Sequence, residues 1–212
     1  MDDETLIPKH GGYRRLKSFQ VAELIFDLTT RFCDRYIDRR SRTHDQMVQA
    51  ARSGTRNIAE GSKASGTSKK TELKLTNVAR SSLEELLLDY EAFLRQRGLD
   101  QWPADHPALV RFKKRRCATL DDVRRWVGEE RHSWGTDTDE HGQARTTATS
   151  VSVRVGPCPS SAELVANAAL SLLNLCCYLL DRQLAAQADA FKREGGFTER
   201  LYSVRSKARR KG

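Results

Sequence analysis

Residues 52–70 read RSGTRNIAEGSKASGTSKK, and the way this stretch is read decides the fold. Met47, Ala51, Gly54, Ile58 and Gly61 recur at alternating intervals of four and three, the spacing of a seam along one helix face. The members of this seam are small, so the backbone of a neighbouring helix can come close. Each glycine costs about 1 kcal/mol relative to alanine inside a helix, and tight interhelical packing is the simplest compensation. Residues 64–70, ASGTSKK, then break the helix. Ser41 or Thr43 can cap its start, and Thr67 or Ser68 can cap the next one, with Glu72 in the first turn.

Working outward, residues 13–40 carry Phe19, Ala22, Ile25, Phe32 and Tyr36 at helical spacing. The helix after the break shows one stripe of Leu75, Ala79, Ser82, Leu86, Tyr90 and Phe93, and Gly98 can end it just past Arg97. Two short helices are expected at 107–117 and 120–130, the second capped by Thr119. Residues 131–159 are rich in Gly, Ser, Thr and charge and lack a helical period, which predicts a flexible linker. Within it SVSVRV alternates like a strand but has no strand to pair with. Ser160 with Glu163 forms a capping box for a last long helix, whose face carries Leu164, Ala168, Leu172, Leu175, Leu179 and Leu184.

The expected organisation is therefore a tail at 1–12, three helices within 13–99, an insertion at 100–130, a linker at 131–159, a fourth helix at 160–196 and a basic tail at 197–212. The fold class expected is all-α, an antiparallel up-and-down four-helix bundle with a long insertion before the fourth helix.

Lys and Arg number 37 against 28 Asp and Glu, a net charge of +9, which favours an anionic partner. The acidic N-terminus lacks the apolar core of a signal peptide. The longest apolar run, at 164–180, is interrupted by Asn167 and Asn174, so it reads as a buried helix and no membrane association is expected. Five cysteines at irregular spacing, without a CxxC pair, point to reduced thiols and a cytoplasmic location.

Candidate chemistry is sparse. His10, His44, His106, His132 and His141 never fall three or four residues apart, so no helical metal pair forms. Ser81 and Ser82 precede Glu84 and Glu85 without a local base to activate a hydroxyl. GSKASGTSKK lacks the order of a phosphate-binding loop. Asn57 and Glu60 flank the glycine seam and are expected to point toward another helix, where they pin its register. As a catalytic acid Glu60 has no convergent partner. The expectation is a protein with no enzymatic activity, no metal and no cofactor.

Basic residues are better placed. Arg52, Arg56 and Lys63 share one flank of the second helix, and Lys69, Lys70 and Lys74 gather at the turn into the third. Lys113, Lys114, Arg115 and Arg116 form a further group beside Arg111. Phosphate contacts need such charge without a fixed motif. Aromatic residues are only 7% of the chain, so base stacking is a poor expectation and shape and phosphate should dominate.

FQVAELIFDLTTRF, followed by QAARSGTRNIAEGSKASGTSKKTELKLTNVARSSLEELL, resembles the bacterial four-helix-bundle family typified by the 23S rRNA intervening-sequence protein. Its relatives include the accessory protein of diversity-generating retroelements. The signature is carried by Ser53, Asn57, Ile58, Ala59, Glu60, Gly61, Ser68, Lys69, Ala79, Ser82, Glu85 and Leu86, with Gly54 inside it, and the ending from Ala166 looks like the family's "suffix" variant. The resemblance implies an antiparallel bundle, a homo-oligomer (a homopentamer) with a basic surface, no enzymatic activity, and nucleic acid as partner, RNA more than DNA. The alternative it implies is a scaffold for a partner enzyme such as a reverse transcriptase.

Overall fold

The computed structural model describes residues 10–135 and 158–209, and among them the chain is all-α with no strand. A 3-10 turn at Tyr13–Arg15 leads into α1 (Lys17–Tyr36), α2 (Arg42–Ala64) and α3 (Lys69–Gln96). Two shorter helices follow, α4 (Pro107–Arg115) and α5 (Leu120–Gly135), then α6 (Ser161–Glu194) and α7 (Phe197–Arg209). The SVSVRV stretch lies outside the described residues.

Helix starts sit where hydroxyls can take up orphan amides. Ser41 Oγ accepts the Thr43 amide at 3.3 Å, Ser68 Oγ the Thr71 amide at 3.2 Å, and Ser160 Oγ the Glu163 amide at 3.1 Å. Thr119 and Asp122 cap α5 reciprocally, each side chain accepting the other's amide. Gly98 follows α3 at φ +61°, the left-handed conformation that ends a helix cheaply only in glycine.

Several boundaries depart from expectation, among them the end of α4, at Arg115 and not at residue 117. The first helix stops at Tyr36 and not near residue 40, because the Asp38 side chain accepts the Arg40 amide and folds the chain into a turn. The second inserted helix continues to Gly135, five residues into the expected linker. In this extension Ser133 and Trp134 are half-buried, and Ser133 Oγ donates to Glu130 O at 2.9 Å. The expected basic tail is helical from Phe197, and the Glu199 carboxylate accepts the Gly196 amide at its start. The N-terminal segment is also not a free tail throughout: the Gly11 amide donates to Ser62 O at 3.0 Å.

Packing joins α1 to α2, α2 to α3, α3 to α6 and α6 back to α1, with α4 and α5 laid against α6. Phe32 sits at the centre of an aromatic group, its ring centroid 4.9 Å from Tyr90 and 4.7 Å from Phe93. The buried Tyr90 hydroxyl donates to Thr29 Oγ1 at 3.1 Å, so the group carries no unsatisfied polar atom there. On α6 the inward line is Ala166, Ala169, Leu173, Cys176 and Leu180. Leu164, Ala168 and Leu172 are buried as the stripe predicts, but Leu175 is 43% exposed. By length and composition α6 could cross a membrane, yet 61% of its apolar window is buried within the protein, as in a core helix.

The glycine seam meets α3. A Cβ on Gly54 would lie 2.7 Å from Leu83 Cγ, and one on Gly61 would lie 3.4 Å from both Glu72 O and Leu75 Cβ. Side-chain absence is therefore what lets the two helices touch. Beside Gly54, Ser53 Oγ and Ser82 Oγ hydrogen-bond across the pair at 3.0 Å, and Asn57 Nδ2 donates to both Ser53 O and Ser53 Oγ. The register pin is thus Ser53 with Ser82, and Asn57 acts through Ser53. Glu60 does not belong to it. Its side chain is exposed, because it lies on the opposite flank of α2 from the seam, and it makes no hydrogen bond or ion pair among the described residues. Glu85 is exposed beside Ser82, at the rim of a shallow polar depression shared with Arg42 and Asp45.

Candidate nucleic-acid interface

The flank of α2 opposite its seam lines a groove of about 760 Å³ with α1 and the α4–α5 connection. Arg52, Arg56 and Lys63 project there together, as their spacing predicts, joined by Arg14 from the N-terminal turn and Lys17 from the start of α1. Helical periodicity places residues 52, 56 and 63 on one flank, and the Gly11–Ser62 hydrogen bond brings the N-terminal cations alongside. The Lys63 ammonium lies 5.5 Å and the Arg14 guanidinium 4.8 Å from the Tyr13 ring centre, two cations held near one aromatic ring. Glu23, Asp27 and Glu60 also line this groove, so five cations face three carboxylates.

A second groove, of about 650 Å³, runs between α1, α5 and the start of α6. Arg31 and Arg35 enter it from α1, Arg124 and Arg131 from α5, against the single carboxylate of Asp34. Its floor is apolar, made of Leu28, Phe32, Val123, Val127 and Val165. Arg131 donates to Ser161 Oγ at 3.2 Å and Arg124 to Asp121 at 2.9 Å, while Arg31 has no ion pair among the described residues. Four guanidinium groups over an apolar floor give this groove a surplus of positive charge. Leu120 lines both grooves, so the two adjoin along α1.

Sequence reasoning missed this arginine groove. The available signal was spacing: residues 31 and 35 are four apart on one helix, and residues 124 and 131 are seven apart on another. Ending the second inserted helix at 130 left Arg131 in a linker and hid the repeat.

The remaining predicted cations fare unequally. Lys70 and Lys74 are exposed on the first turns of α3, while Lys69 is 3.7 Å from the Glu72 carboxylate. The 111–116 group is largely spent inside the fold. Arg111 makes two 2.6 Å bonds to buried Glu130, Arg115 pairs with Glu129, and Lys113 Nζ donates to Ala104 O at 2.7 Å. These contacts fasten α4 to α5 and to the preceding loop. Lys114 and Arg116 are exposed and without ion pairs among the described residues, and Arg116 ends α4 at φ +52°.

The cysteines near the cations are not activated. The Cys117 thiol, at the edge of the first groove, is pushed up by burial and then by Asp122, so it is not a ready thiolate. Cys33, on the core side of α1, is pushed up to about 12 by burial. Among the described residues no three His, Cys, Asp or Glu side chains converge as a metal site would require. The arrangement offers fixed positive charge and fork-shaped donors, which suit phosphate oxygens. In comparisons with known proteins the chain matches no family model, no curated protein and no solved structure.

Proposed function

We propose that this chain is a non-enzymatic, cytoplasmic accessory protein that binds nucleic acid, structured RNA above all, along the two basic grooves flanking α1. The observation that carries this reading is the convergence of Arg31, Arg35, Arg124 and Arg131 on one groove beside a second lined by Arg52, Arg56 and Lys63. Guanidinium groups at fixed positions bind phosphate oxygens in pairs, and a ridge of them follows a backbone without reading bases.

The reading extends to the architecture. The short links at 37–41 and 65–68 favour antiparallel neighbours, and the closed packing order of α1, α2, α3 and α6 fits an up-and-down four-helix bundle. The NIAEG signature supports membership of the intervening-sequence family, and with it assembly into a homo-oligomer, which would repeat the grooves around a ring and multiply their affinity.

Fluorescence anisotropy of a labelled RNA hairpin, titrated across salt, tests the proposal. Affinity falls steeply with salt, and the double variant Arg31→Glu with Arg124→Glu weakens binding at least about tenfold and flattens the log–log salt slope by about 2. Binding that is unaffected by this double variant, or absent at about 50 mM salt, overturns it.

A further inference from the structure

A third groove has the opposite character. It measures about 830 Å³ and lies between α4, the loop before it and the outer face of α6, with the start of α1 at one end. Its walls are Leu109, Phe112, Leu170, Leu172, Leu175 and Leu179, with Tyr178 at the mouth. Leu175 is 43% and Tyr178 57% exposed, two large apolar side chains side by side on α6 that none of the described residues covers. Three cations, Lys17, Lys113 and Arg116, stand among the lining residues, and no Asp or Glu does.

The groove is built, not collapsed. Buried Asn167 accepts the Trp102 amide at 2.8 Å and donates to Asp100 O at 2.9 Å, which fixes the loop before α4 to α6. Lys113 Nζ closes the same loop onto α4 through Ala104 O at 2.7 Å. Asn174, at the lip, donates to Leu170 O in its own helix, so it does not bridge the gap. The cleft is thus preformed, which lowers the ordering cost of binding.

We propose that this groove docks an amphipathic helical segment of a partner protein, with apolar anchors at i, i+3, i+4 and i+7 and acidic residues on its flanks. The volume accepts several side chains, and helix-in-groove recognition uses such a line of anchors on an apolar floor. The rim of three cations without a carboxylate chooses an acidic flank over a basic one. A nucleic acid is a worse fit, because a phosphate backbone held at the basic rim would leave the leucine-lined floor uncovered. A second copy seated through the same groove is also a worse fit, since it would set three cations against three with no carboxylate between them. The inference goes beyond nucleic-acid binding and does not depend on it.

The test uses two labelled synthetic peptides of about 16 residues, each with leucine at the four anchor positions, flanked in one by glutamate and in the other by lysine. With the full chain, the glutamate peptide binds with a Kd on the order of 10 μM at about 50 mM salt, at least about tenfold tighter than the lysine peptide. Tyr178→Glu cuts that affinity at least about tenfold, and the milder Leu175→Ala cuts it about threefold, while both leave RNA-hairpin binding and helical circular dichroism unchanged. Equal binding of the two peptides, no binding of the glutamate peptide at about 100 μM, or insensitivity to both α6 variants overturns the proposal. Displacement of the peptide by self-association, seen as a rise in mass by light scattering that Tyr178→Glu abolishes, also overturns it in favour of a second copy. Loss of RNA binding in the arginine double variant with peptide binding retained separates this inference from the proposed nucleic-acid function.

Discussion

The α2–α3 seam and the α4–α6 groove are both places where two helices run beside one another, yet one is closed and the other open. At the seam, Gly54 and Gly61 let α3 approach until Leu83 and Leu75 touch the α2 backbone, and Ser53 bonds Ser82 across the contact. At the groove, Leu109, Phe112, Leu172 and Leu175 hold the helices apart, and Asn167 anchors only the loop beside them. Side-chain size at the contact decides which outcome follows. Small residues trade helix propensity for closeness and leave no room for a ligand. Large residues that line a preformed gap leave apolar surface that a partner can cover.

That contrast is broken most severely by filling the seam. Gly54→Val drives methyl groups into the buried Leu83 and is expected to cost about 3 kcal/mol, measured by urea unfolding. A loss below about 0.5 kcal/mol would mean that α3 can retreat and that the closeness is not specified.

The groove is broken from its anchor. Asn167→Ala leaves the Trp102 amide and the Asp100 carbonyl without their partner, with an expected cost of about 2 kcal/mol. The same change frees the loop before α4, so protection of the Trp102 amide from hydrogen exchange should fall before that of α2 and α3. Equal loss of protection everywhere would show that the insertion and the long helices unfold as one unit.

A smaller effect lies at the far end of the seam. Burial, opposed by Lys69 and by the 3.1 Å bond from Gln187, pushes the Glu72 carboxyl above the usual carboxylate range. The contribution of a raised carboxyl is full below its unfolded pKa and is lost as pH rises through its folded pKa. Glu72→Gln is therefore expected to match the parent in acid and to exceed it by less than about 1 kcal/mol at neutral pH, read as Tm against pH. A variant that is less stable at neutral pH would show that the Lys69 ion pair outweighs the burial of the charge.

Much of this was legible in local sequence. Caps at Ser41, Ser68, Thr119 and Ser160, the end of α3 at Gly98, and the seam of Met47, Ala51, Gly54, Ile58 and Gly61 all depend on interactions within a few residues or on one helical period. The flank of Arg52, Arg56 and Lys63 was legible for the same reason. Glu60 was misread because proximity to the seam in sequence is not the same side of the helix: its neighbours Ala59 and Gly61 are buried and it is exposed.

Periodicity states which residues share a face, and it does not state what that face meets. Leu175 repeats in step with Leu164, Ala168 and Leu172, but α4 has 9 residues and α6 has 34. At 1.5 Å per residue a cover of about 14 Å lies on a helix of about 51 Å, so part of the apolar stripe is left open. In the same way Arg31 and Arg35 meet Arg124 and Arg131 only because α5 packs on α1 and α6, a contact between residues about 90 apart in the chain. Sequence alone determined the helices, their caps and the close seam, since these are set by local sterics and hydrogen bonding. The tertiary structure alone decided which charges of different helices converge and which leucines stay uncovered, because both depend on the lengths and docking of distant helices.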